Sequence, residues 1–127
     1  MPRQVILSPD APAPLSVYSQ AIQSGSLLFL AGQIPLDPVS GELVSGSLAL
    51  ETDRIIENLS AVLKAAGASL QNVVKTTVYL TNMADFADFN AAYARYFPSA
   101  PPARTTVAVA ALPRGVRIEI EAIAALP

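Results

Sequence analysis

Apolar and polar positions change period along this chain, and each change marks an element. From Leu48 to Ala66 the residues Ile55, Ile56, Leu59, Val62, Leu63 and Ala66 fall on one stripe, which predicts a helix. Ser47 is placed to cap its start and Gly67 to stop it. A second helix is predicted over Ala84–Tyr96, where Phe86, Phe89, Tyr93 and Phe97 recur at three- and four-residue spacings before Pro98 ends the run. Elsewhere the pattern is strand-like. A short strand is expected near Arg3–Leu7, two more around the Ser24-Gly25 turn in SQAIQSGSLLFLAGQI, and a β-branched one over Asn72–Thr81. Val116 to Ala124 alternates strictly, with Val116, Ile118, Ile120, Ala122 and Ala124 on one face and Arg117, Glu119, Glu121 and Ile123 on the other. Pro9, Pro12 and Pro14 make SPDAPAPLSVY an ordered loop or strap, and Gly41 serves a turn in DPVSGELV. The order β, β, β, α, β, α, β, β predicts an α+β sandwich, a mixed β-sheet with two helices packed on one face.

Composition adds an expectation about assembly. The 127 residues suffice for one domain spanning 1–127, yet 52% are hydrophobic and only 14% charged, a poor match to the high surface-to-volume ratio of a small monomer. A homo-oligomer that buries the second, partly apolar sheet face is expected. The chain holds no His and no Cys. That removes Ser/His/Asp and Cys/His nucleophiles, thiol redox chemistry and the usual zinc or copper sites, so no metal is expected. Carboxylates, lysines, arginines, tyrosines and hydroxyls remain for acid and base work. A net charge of -2 with eight scattered basic residues offers no phosphate-tracking patch, so no nucleic-acid partner is expected. No apolar run has the length of a membrane span and none reads as a signal peptide; no membrane partner and a cytoplasmic location are expected.

Two residues stand out against these core-like segments. Arg104, at the start of the strand before the LPRG turn, presents a planar fork of donors suited to a carboxylate. Its structural alternative is an ion pair with Glu119 or Glu121, for which Arg117 competes. Glu119 and Glu121 are about 7 Å apart along one strand face, where either a solvated surface or a water-activating general base fits the pattern. Tyr18 suits stacking or packing, Asn90 a cap or a ligand contact, and Gly32, before Gln33, a close approach or a β-bulge. No GxGxxG or Walker spacing occurs.

Taken together, VYSQA, LAGQIPLDPVSGELV, AAGASLQNVVKTTVYLTNMADFADFN, YFPSAPPARTTVAV and LPRGVRIEIEAIA occur in an order that resembles the RidA/YjgF family of reactive intermediate deaminases, nearly end to end. The resemblance implies a chorismate-mutase-like domain forming a homotrimer around a central β-barrel, with ligand clefts between subunits. It implies hydrolysis of 2-enamine and 2-imine intermediates such as 2-aminoacrylate to 2-keto acids and ammonia, without a cofactor. In that reading Arg104 grips the substrate carboxylate and Glu119 orients the attacking water. Tyr18, Ala31, Gly32, Asn90 and Thr106 line the cleft, and Glu121 is structural. The family commonly has Ser where this chain has Ala31, and Cys where it has Thr106, which bears on substrate range and rate. The alternative is a non-catalytic module that binds a 2-keto acid or another small carboxylate in the same cleft. Endoribonuclease activity, attached to some members, is disfavoured by the acidic chain without a basic groove.

Overall fold

In a computed structural model, which describes residues 2–127, the alternating segments form six strands: β1 (Gln4–Ile6), β2 (Ala21–Ser24), β3 (Leu27–Gln33), β4 (Val73–Leu80), β5 (Ala103–Ala108) and β6 (Ile118–Ala125). The helical segments form α1 (Leu48–Ala65) and α2 (Phe86–Tyr96). Ser47 Oγ accepts from the Leu50 N–H, as an N-cap does, and the N–H groups of Gly67 and Ala68 return to the carbonyls of Lys64 and Leu63. The predicted start of the second helix falls instead in a separate 3-10 turn, Met83–Asp85, because Asn82 Oδ1 accepts from the Ala84 N–H and closes a tighter turn first.

The strands lie in the order β1-β2-β3-β6-β4-β5. All neighbours are antiparallel except β4 and β5, which run parallel because α2 carries the chain back between them. Both helices pack together on one face, α1 against β3 and β6. One rung of the sheet explains the layering. Ile6, Ala21, Leu30, Ala122 and Thr76 lie side by side across five strands, all buried beneath the helices, and Arg104 completes the rung on edge strand β5. Five small or apolar side chains let the helices sit close, and the sixth place falls where the helix layer ends.

The neighbouring rung points the other way. Val5, Ile22, Phe29 and Ile123 line up across β1, β2, β3 and β6 on the face without helices, where Phe29 is 43% and Val5 57% exposed. The apolar surplus read from composition is therefore concentrated on one side of the sheet. Among the described residues no helix is long and apolar enough to cross a membrane.

Candidate functional site

The two residues singled out from the sequence stand on opposite faces of the sheet. Arg104 shares the helix face with Thr76, whereas Glu119 is opposite Tyr79 and, like Glu121 opposite Thr77, projects from the helix-free face. Strand β4 also separates β5 from β6. Arg104 therefore pairs with neither glutamate within the chain, and the LPRG turn does not bring them together. Arg117 does not pair with them either. It precedes β6, so strand alternation does not hold it. Its guanidinium reaches Glu51 of α1, with Nη2 2.6 Å from Oε2, and donates to the Gly46 carbonyl at 2.7 Å.

Arg104 is held from α2. Its Nη1 donates to Asn90 Oδ1 at 2.8 Å, the only hydrogen bond of its side chain among the described residues. The guanidinium carbon lies 4.9 Å from the ring centre of Tyr93, 5.4 Å from Phe89 and 5.5 Å from Phe86. Rings at these distances attract a cation through their negative faces. Tyr93 is fixed in turn, because its hydroxyl is 2.6 Å from Thr76 Oγ1 on the same buried rung. Burial raises the Tyr93 pKa, against the lowering influence of Thr76 and Arg104, so the phenol stays neutral. One guanidinium edge is thus anchored and the rest of the fork is available to a carboxylate. Thr106, two residues along the same strand face, has a buried hydroxyl without a hydrogen-bond partner among the described residues.

Glu119 is placed by a β-bulge. Between Leu30 and Gln33, β3 carries one residue more than β6 does, and the extra length is Ala31-Gly32. Gly32 lies against the Glu119 carboxylate, and a Cβ there would collide with Oε2. The bulge reading of this glycine therefore holds, and the group that approaches it closely is the Glu119 side chain of the same chain. Burial, and then the charge of Glu121, raise the Glu119 pKa above its ordinary value. A carboxylate with a raised pKa is a stronger base than a solvated one, as activation of water requires. The same environment raises Tyr79, chiefly through burial and then through Glu121.

The obstructing atom is the tip of a flexible side chain, not backbone. Gly32→Ala should therefore swing the Glu119 carboxylate aside while the fold persists. The expected result is a Glu119 carboxylate displaced from its wild-type place in a crystal structure of the variant, with a thermal midpoint close to wild type by calorimetry.

Tyr18 lies in the proline-containing loop before β2, half exposed, beside the outward-facing Leu15 and Val17. The structure thus joins Arg104 with Asn90 and Gly32 with Glu119, while Tyr18 lines a surface recess with Arg3, Ser16, Val17, Ser19 and Ile22. The aromatic set around Arg104 was read from sequence only as a core stripe. The signal that could have assigned it was the rung, but register between β4 and β5 is not written in either strand alone.

Comparison with known proteins gives a consistent picture. A family model described as Endoribonuclease L-PSP matches residues 8–126. A RutC family protein of Pyrococcus horikoshii is 52% identical over 96% of this chain and 97% of its own length. The mouse protein named 2-iminobutanoate/2-iminopropanoate deaminase is 50% identical over 96% of this chain and 90% of its own. Among solved structures, E. coli TdcF with bound serine superposes with a TM-score of 0.93 at 36% identity, covering 98% of this chain and 99% of that one.

Proposed function

The chain belongs to the Endoribonuclease L-PSP family, the RidA/YjgF family its sequence resembles, and from that premise we propose that it hydrolyses 2-imino acids to 2-keto acids and ammonia at a cleft between subunits of a homotrimer. The reading rests above all on Arg104, a guanidinium pre-oriented by Asn90 and three aromatic rings with donors to spare, in a chain about half identical to proteins named as imine deaminases.

The opposite faces of Arg104 and Glu119 favour a shared site. An edge strand and an exposed apolar face are what a second copy can cover, and covering them brings one subunit's Arg104 edge towards another's Glu119 face. Arg104 holds the substrate carboxylate in two parallel bonds. Glu119 removes a proton from a water held near C2 as the C–O bond forms, and the imine nitrogen gains a proton. The carbinolamine then collapses: the proton of its hydroxyl passes to the amine nitrogen, the C–N bond breaks as the C=O bond forms, and ammonia leaves with the 2-keto acid remaining. Tyr18, Ala31, Gly32 and Thr106 line this cleft, and Asn90 acts through Arg104. The bound serine of the TdcF structure fits a small carboxylate ligand and equally supports the non-catalytic binding reading.

Mixing two inactive variants tests the arrangement. Arg104→Ala and Glu119→Gln, unfolded together and refolded as mixed trimers, should regain about a quarter of wild-type turnover, because a site needs one intact residue from each of two chains. Trimers that stay inactive on mixing, while wild type refolds fully, would place both residues of a site on one chain. A wild-type rate equal to spontaneous hydrolysis would move the protein to the binding reading.

A further inference from the structure

Beside Arg104 lies a cavity of about 350 Å³ lined by Asn90, Tyr93, Ala94, Phe97, Pro101 and Pro102. Apart from Arg104, Asn90 and the Tyr93 hydroxyl, which is committed to Thr76, its lining side chains are apolar. The rings of Tyr93 and Phe97 stack with centroids 4.7 Å apart. Pro101 and Pro102 fix the backbone opposite them, just after Ala100, which holds a left-handed φ of 48°. On α2, Asn90 and Ala94 are one turn apart with Tyr93 beside them, and Phe97 follows at the end of the helix, so its last turns present one stripe to the cavity. The volume is at the small end of the range for ligand pockets. Arg104 is itself part of the lining, so a carboxylate bound to its guanidinium lies at this cavity, whose other walls are mainly apolar.

We infer that this cavity is the side-chain pocket of the site, that it selects 2-imino acids with branched aliphatic or aromatic side chains over those with one or two carbons, and that Ala94 sets its size. The inference deepens the proposed deaminase reading and rests on Arg104 as the carboxylate clamp. A large side chain gains by leaving water for an apolar wall, and each methylene buried there is worth about 4-fold in discrimination. A cationic side chain is disfavoured by the neighbouring guanidinium.

Ala94 is exposed on the helix surface, so Ala94→Leu fills the cavity without disturbing the core. The test compares imines generated in place from leucine and from alanine by an amino-acid oxidase, on wild type and Ala94→Leu. In parallel, calorimetry measures binding of 4-methyl-2-oxopentanoate and pyruvate. Wild type should favour the leucine-derived imine by about 10-fold or more in kcat/KM. Ala94→Leu should lose that preference through a fall of about 10-fold or more in the leucine-derived kcat/KM. Equal use of both imines by wild type, or a uniform loss in Ala94→Leu, overturns the inference and leaves the deaminase reading intact. If neither imine is hydrolysed but the larger keto acid still binds better, and only until Ala94 is enlarged, the pocket assignment holds and the deaminase reading falls.

Discussion

Arg104→Lys should cost about 10²- to 10³-fold in kcat/KM for imine hydrolysis and weaken keto-acid binding in parallel, although the positive charge is kept. A lysine keeps a point charge but not the fork. In the native arrangement Nη1 is committed to Asn90 at 2.8 Å while the remaining N–H groups keep a fixed plane. The three ring contacts, 4.9 to 5.5 Å from the guanidinium carbon, hold that plane against rotation. An ammonium has three rotating donors, and using one on Asn90 fixes neither of the others. Arg104 sits outside the buried part of its rung, so the substitution should leave the denaturation midpoint nearly unchanged. That separation is the check: a variant as active as wild type removes Arg104 from the site, and one that unfolds says nothing of the clamp, in which case Asn90→Ala, which frees the guanidinium without removing it, should raise KM more than it lowers kcat.

Glu119→Gln should lower kcat by about 10²- to 10⁴-fold, the range expected when a general base is lost, with little change in KM. Its pH signature is specific. Burial and Glu121 raise the Glu119 pKa above the ordinary 4.5, so the base form appears only above that value. Wild-type kcat should therefore climb with pH along a limb centred above 4.5, and this limb should be missing from the residual activity of Glu119→Gln. Glu121→Gln removes a like charge and should move the limb to lower pH. The stability consequence has the opposite sign to that of an ion-paired carboxylate. A folded-state pKa above the unfolded one means that the charged form is destabilising at pH values above the raised pKa, and the destabilisation disappears as pH falls below 4.5. Glu119→Gln should be at least as stable as wild type at neutral pH, which thermal melts across pH 4 to 8 would show. A kcat within 2-fold of wild type would remove Glu119 from the chemistry.

Much of the architecture is legible in the chain because local period decides it. α1 follows from its apolar stripe between Ser47 and Gly67, and β6 from the alternation that buries Ile118, Ile120, Ala122 and Ala124. What local pattern leaves unwritten is which strands become neighbours. Arg104 and Glu119 are separated by a strand and by the thickness of the sheet because β4 comes between β5 and β6, and that order is set by the α2 crossover, not by any residue near either one. Arg117 was placed with the glutamates by extending alternation one residue past the strand, whereas its contact with Glu51 is a tertiary one across 66 positions. The bond from Arg104 to Asn90 and the collision that keeps position 32 a glycine are likewise contacts between elements. The family resemblance named these residues, and the structure supplies the physical reason they occur as two separate pairs.

The edge position of β5 carries a consequence for motion. Ladder bonds tie the strand on one side only, to β4, so lifting it breaks one row of ladder bonds together with the Arg104–Asn90 and Lys75–Thr105 side-chain bonds, and leaves the ladders among the other five strands intact. Opening of this strand is therefore a local equilibrium with its own free energy, well below that of global unfolding. Anything that binds along this edge bears on that small free energy directly, so a ligand held by Arg104 would steady the strand by mass action as well as occupy it.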